Sequence, residues 1–239
     1  MIGSKLKLSK VGEVKIKLHR PLQGVVKTCT IIVKNDKCYA CFSCEVQPKP
    51  LPRSTASIGV DLGLKHLVVT SDGETFEAPK ALRLNERKLK RQQRAVSRKR
   101  KGSNRRKKQV QRLARQHEKV ANQRRDHAHK TSRTLVDRYG FLAFEDLNIK
   151  GMMKNRHVAK SIADAGWGQL VQFMAYKAER AGRVVVQVDP QYTSQNCSHC
   201  DKLVPKTLSE RIHRCPHCGY TADRDVNAAL NILKRALAS

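Results

Sequence analysis

The chain has 239 residues, 39% of them hydrophobic, and a formal net charge of +29. That apolar content excludes a disordered tail and supports a folded core, while the charge points to a polyanionic partner. No long apolar segment or lipidation motif is present, so no membrane partner is expected and nucleic acid is the leading candidate.

Residues 1–18 alternate lysine with apolar side chains and lack the continuous apolar run and cleavage site of a signal peptide. A cytoplasmic location is therefore expected. The eight cysteines then read as metal ligands or buried thiols rather than as a disulfide framework. Residues 1–50 read as antiparallel β, with strands at Val14–Leu18, Thr30–Val33 and Cys38–Cys44 and a turn at Asn35-Asp36-Lys37. Cys38, Cys41 and Cys44 mimic ligand spacing. In a strand, however, Cys38 and Cys44 share one face and Cys41 takes the other, so these three, with Cys29, are read as strand residues. Pro48, Pro50 and Pro52 mark a linker.

After the linker, Ser57–Gly63 and Leu67–Thr70 predict a buried strand and its hairpin return, with a turn at Ser71-Asp72-Gly73. Residues 82–136 are helical in pattern and split at Gly102-Ser103-Asn104 into two helices, expected to run antiparallel. Between Arg83 and Arg133 stand about twenty lysines and arginines against Glu86, Glu118 and Asp126. Arg98, Lys99, Arg100, Lys101, Arg105, Arg106, Lys107 and Lys108 are the densest part. Charge on several faces, with only a thin apolar stripe at Leu113, Val120 and Leu135, favours phosphate contact over a merely solvated face. With few aromatics interleaved, base stacking is not supported. A short apolar strand, Gly140–Glu145, a helix from Trp167 to Ala181, a strand at Arg183–Val188 and a final helix near Asp225–Ala236 complete the pattern.

Cys197-x2-Cys200 and Cys215-x2-Cys218 form two knuckles fourteen residues apart. Two such turns complete a tetrahedral thiolate site, and Zn²⁺ is expected there in a closed, structural role, ahead of an iron–sulfur or free-thiol reading. His199, His213 and His217 are read as surface or supporting residues.

Three carboxylates sit where acids are costly unless used. Asp61 interrupts an apolar strand, Glu145 closes another, and Asp225 opens the final helix. Taken singly, each has an ordinary reading: a turn residue, a strand-end charge, a helix N-cap. Their joint placement in so basic a chain favours a Mg²⁺ or Mn²⁺ site able to hydrolyse phosphodiesters. Asp223 reads as a helix-terminal charge and Asp146 as lying on the face opposite Glu145. Asp189, at a strand end, stays open.

Several stretches together resemble the TnpB family, the OrfB-type proteins of bacterial and archaeal insertion sequences. They are Ile58–Gly63, Phe144–Asn148, Lys160–Asp164 with Trp167-Gly168, Val188–Gln195, the two knuckles, and Asp223–Ala229. The resemblance implies an α/β, RNase H-like (RuvC-like) mixed sheet with a basic helical insertion and an inserted zinc ribbon. It puts the catalytic acids on Asp61, Glu145 and Asp225. It also implies a guide RNA derived from the transposon end, a DNA target and a bacterial or archaeal cytoplasm. The implied organisation is a partial β module over residues 1–50, a nuclease domain over 51–192 and 223–239 with the insertion at 82–136, and the ribbon at 193–222. Family members carry a longer N-terminal part, so a chain shortened by truncation or by start assignment is expected. The rival readings are a non-catalytic RNA- or DNA-binding regulator or remnant, and a structural ribbon protein of a ribonucleoprotein. Nothing in the sequence sets the oligomeric state.

Overall fold

A computed structural model describes residues 5–207 and 209–238, so the first four residues of the lysine-alternating stretch lie outside it. The chain divides into two compact units, Met1–Pro48 and Lys49–Ser239.

The first unit contains two antiparallel hairpins, β1 (Lys5–Leu8) with β2 (Gly12–Lys15), and β3 (Val25–Lys34) with β4 (Lys37–Glu45). Asn35 and Asp36 both take positive φ, 50° and 61°, as a two-residue hairpin turn requires. The strand expected over Val14–Leu18 is shifted. Lys15 pairs with Lys5, the first residue of β1, so Ile16–Leu18 extend beyond the described partner strand. Cys38, Cys41 and Cys44 lie opposite Val33, Thr30 and Val26, spread along β4, and all are free.

The second unit is built on a five-stranded sheet in the order β7-β6-β5-β8-β9. Strands β5 (Ser57–Leu62), β6 (His66–Thr70) and β7 (Thr75–Glu77) form an antiparallel meander. Strand β8 (Phe141–Glu145) runs parallel to β5, and β9 (Val184–Val188) parallel to β8. The period of two along the central strands divides their side chains between two cores. Ile58, Val60, Leu62, Leu142 and Phe144 pack on one face against Ala128, Leu135 and Val136 of α2 (Asn104–Arg138) and Leu170, Met174 and Ala178 of α5 (Trp167–Ala181). On the other face Ala143 and Val188 pack against Ile232 and Ala236 of the last helix, α6 (Arg224–Leu237). The result is a three-layer α/β unit.

Helices α1 (Ala81–Ser97) and α2 form an antiparallel hairpin. Asn85 near the start of α1 bonds Gln116 and Gln123 of α2 at 2.8 and 3.2 Å. Ser103 caps α2, its Oγ accepting from the Arg106 amide at 3.2 Å. The first turn of α1 is capped from 82 residues away, by the Asp164 carboxylate of α4 (Ala159–Ala165), which follows the short α3 (Ile149–Met152). Asp164 accepts from the Leu82 and Arg83 amides at 2.8 and 3.2 Å.

At 35 residues, α2 is about 52 Å long. The two-residue connection Tyr139-Gly140 turns it back antiparallel to β8. Five residues of β8 span about 17 Å, the rise of about eleven helical residues. The part of α2 before Ala128 therefore runs past the Glu145 end of the strand, where Leu113 and Val120 pack with Ala81, Leu82 and Leu89 of α1.

Candidate carboxylate and metal site

The β5–β8 register pairs Gly59 with Ala143 and Val60 with Phe144. One further step sets Asp61 beside Glu145, on strands about 4.8 Å apart. Both acids point to the α6 face, because their neighbours Val60, Leu62 and Phe144 belong to the opposite core. Gly59 explains how α6 comes so near: a Cβ there would lie 2.0 Å from the Ala229 carbonyl oxygen. Only a residue without a side chain admits this approach. Asp225 lies one helical turn before Ala229, so the contact carries it toward Asp61, two residues after Gly59 on the same strand face.

The electrostatics report that gathering. Burial, then the charges of Glu145 and Asp225, push the Asp61 carboxyl up from 3.8 to about 8, with Arg224 opposing. Glu145, 9% exposed, is also raised, chiefly by burial and against the Thr193 hydroxyl and the charge of Arg235. Asp225 is held by arginine: Arg224 donates from Nε at 3.1 Å and from Nη2 at 2.9 Å, and Arg211 stands 3.7 Å away.

The acids near these three have other roles. Asp223 is the N-cap of α6, accepting from the Asp225 and Val226 amides at 2.8 and 3.4 Å. Asp225 is thus released from the capping task that residue type suggests for it. Asp189, open in the sequence, closes a turn by accepting from the Gln191 amide at 2.9 Å. Asp146 is exposed. The signals that sequence reasoning lacked are Arg211 and Thr193, which touch the acids from loops, and Arg224, which does so from the first position of α6.

The four cysteines Cys197, Cys200, Cys215 and Cys218 converge, with their sulfurs all within 4.8 Å of one another. They are the one such set of three or more potential ligands among the described residues; the carboxylates are coupled over longer distances. Sulfur separations of 3.7 Å (Cys197–Cys218) and 3.6 Å (Cys200–Cys215) fit the edge of a tetrahedron with 2.3 Å bonds, about 3.8 Å. The two knuckles repeat one geometry. The Cys197 and Cys215 amides donate to the Lys202 and Tyr220 carbonyls, and the residue after each second cysteine, Asp201 and Gly219, has φ of 61° and 75°. Glycine, the residue that takes such a φ without strain, stands at only one of them. Of the nearby histidines, His199 and His217 are exposed and His213 is buried against Lys206.

The basic residues at the hairpin tip stand in solvent, with Lys99 and Arg106 half-buried. Among the described residues none of Arg98, Lys99, Arg100, Lys101, Arg105, Arg106, Lys107 and Lys108 enters an ion pair. No described helix is long and apolar enough to cross a membrane.

Known proteins are similar to this chain in sequence and in fold. A family model described as probable transposase, OrfB of the IS605 type, matches residues 41–156, and a Cas12f1-like TNB domain matches residues 167–232. InsQ of Escherichia coli K12, whose naming as an RNA-guided DNA endonuclease is itself provisional, is 36% identical over 97% of this chain and 62% of its own length. The TnpB-like protein L770 of Acanthamoeba polyphaga mimivirus is 32% identical over 93% of this chain and 46% of its own. The chain thus spans less than two thirds of either relative. The structure of a Cas12f1–sgRNA–target DNA complex superimposes on 77% of this chain and 51% of the Cas12f1 chain, with a TM-score of 0.56 at 18% identity. The fold is accordingly the RuvC-like, RNase H-type α/β architecture with a four-cysteine cluster.

Proposed function

The chain belongs to the TnpB-like OrfB transposase family, and from that premise we propose that it is a metal-dependent DNA endonuclease of RuvC type, associated with transposition and directed by a guide RNA. The observation that carries this reading is the convergence of Asp61 and Glu145, neighbours on β5 and β8, with Asp225, which the close approach of α6 at Gly59 brings to the same sheet face. Three acids drawn into one poorly solvated face are mutually destabilising unless a cation joins them.

Asp61, Glu145 and Asp225 supply the hard oxygen ligands that suit Mg²⁺ or Mn²⁺. Such an ion, when bound, supplies the charge that activates a water and steadies the leaving oxygen of a phosphodiester. The chain's own groups do the rest. Strands β5 and β8 fix two carboxylates in register, and the first turn of α6 brings the third. The Thr193 hydroxyl orients Glu145, and Arg224 balances Asp225 until a cation arrives. The cysteine cluster takes Zn²⁺ in a closed site with no position for substrate. The α1–α2 arm, with its eight tip residues, holds phosphates of the guide RNA or target DNA. In this reading residues 1–50 form a β module, 51–192 with 223–239 the nuclease, and 193–222 the ribbon.

Cleavage of end-labelled single-stranded DNA in Mg²⁺ and Mn²⁺ tests the proposal. The wild type should cut in both metals, and Asp61→Ala, Glu145→Ala and Asp225→Ala should each lose the activity while remaining folded. Full activity in Asp61→Ala would overturn it.

A further inference from the structure

The last helix makes contacts that nuclease chemistry alone does not require. Asn227 and Asn231 lie one turn apart on α6, at 0% and 4% exposure. Both side chains are spent on the segment leading into the first cysteine knuckle. Asn227 Nδ2 donates to the Asn196 carbonyl at 2.8 Å, and its Oδ1 accepts from the Ser198 amide at 3.0 Å. These two bonds bracket Cys197. Asn231 Nδ2 donates to the same Asn196 carbonyl at 2.7 Å and to the Thr193 carbonyl at 2.8 Å. Thr193, 3% exposed, turns its hydroxyl onto Glu145. At the other end of the cluster, β10 (Ile212–Arg214) pairs with β11 (Thr221–Asp223), and β11 runs directly into α6 and Asp225.

We propose that Asn227 and Asn231 are positioning residues that couple the four-cysteine cluster to the carboxylate site. They fasten the Cys197 knuckle to the helix bearing Asp225 and to the loop whose Thr193 orients Glu145. The inference rests on the endonuclease reading above. Asn227 is bonded at both ends of its amide and Asn231 donates twice from Nδ2; buried amides so engaged hold one geometry, since breaking any of these bonds strands a carbonyl or amide away from water. Metal at the cysteines fixes the knuckle. The knuckle fixes the Asn196 carbonyl, and that carbonyl is shared by both asparagines. Ordering at one metal site is thereby passed to the other through four hydrogen bonds rather than through a shared ligand.

The test is Mn²⁺ binding, read by the electron paramagnetic resonance of free Mn²⁺, on the full chain. Zinc-loaded protein is compared with protein stripped of zinc and desalted. Wild type is compared with Asn227→Ala, Asn231→Ala, Thr193→Val and Thr193→Ser. Zinc removal should weaken Mn²⁺ binding. Asn231→Ala and Asn227→Ala should keep their zinc yet lose about 10-fold or more in Mn²⁺ affinity, the usual effect of removing a group that orients a metal ligand. Thr193→Val, which preserves volume and so guards against an asparagine variant that fails to fold, should show the same loss, and Thr193→Ser should recover the affinity. Hydrogen exchange at residues 193–198 should quicken in Asn231→Ala. Mn²⁺ affinity indifferent to zinc, to the asparagines and to Thr193 would overturn the coupling while leaving the endonuclease reading intact. If the zinc-loaded wild type binds no Mn²⁺ that Asp61→Ala abolishes, both fall together.

Discussion

Asp61 stands between Val60 and Leu62 on a strand whose alternate side chains fill an apolar core, and its carboxyl is held at about 8 by burial and two neighbouring acids. The sign of the linkage follows. A folded-state value above the ordinary 3.8 means that the folded chain binds the proton more tightly than the unfolded one. Without Mg²⁺ or Mn²⁺, stability from this group is complete below pH 4 and is lost as pH rises through 8. Thermal melts of zinc-loaded protein should therefore show Asp61→Asn gaining on wild type between pH 5 and pH 8. A constant difference between the two across that range would contradict the burial of this acid. Gly59 is the companion residue. A methyl group there meets the Ala229 carbonyl oxygen at 2.0 Å, a backbone atom that cannot rotate away. Gly59→Ala should cost about 1–3 kcal/mol, as overpacking does, and should weaken Mn²⁺ binding by moving α6 outward. Denaturant unfolding at wild-type stability would show that the approach is looser than described.

At the scale of elements, what was legible in the sequence divides by range. The strands from Ser57 onward, the split at Gly102–Asn104 and the helix from Trp167 to Ala181 rest on local periodicity and local breakers, and the structure has each of them. The two knuckles are local as well. What stayed hidden depends on partners far along the chain: Asp164 capping α1, the two asparagines reaching Asn196, and Thr193 turning to Glu145. The candidate acids could be picked out because an acid costs free energy in an apolar run. The division of labour between Asp223 and Asp225 could not, since either suits a helix start until the turn geometry is known. The α1–α2 arm carries its own prediction. Replacing Arg105, Arg106, Lys107 and Lys108 with glutamine should flatten the dependence of duplex affinity on salt. The expected change is about 0.9 log unit per log unit of salt for each phosphate no longer neutralised, without altering sequence preference. Affinities measured across a salt series check this, and an unchanged slope would mark these side chains as solvated only.

Over the whole second unit, the carboxylates and the basic arm are arranged along one direction. The acids cluster at the ends of β5 and β8, and α2 runs past that end toward a basic tip. In the proposed reading, a polyanion drawn to the arm is brought to the strand ends where the carboxylates stand. The mixed-sheet architecture was legible through the resemblance to the TnpB family, which implied it, and the structure has a mixed five-stranded sheet. The placement of the arm was not, because it follows from the tight turn at Tyr139-Gly140 and the length of α2 rather than from composition. The proposed chemistry depends on a divalent cation held by the three carboxylates. X-ray diffraction at the manganese absorption edge, from crystals soaked in Mn²⁺, locates that ion directly. An anomalous peak is expected about 2.1 Å from carboxylate oxygens of Asp61 and Glu145, with Asp225 turned from Arg224 toward it. A map with no peak among these acids, in crystals whose cysteine site is filled, would contradict the assignment.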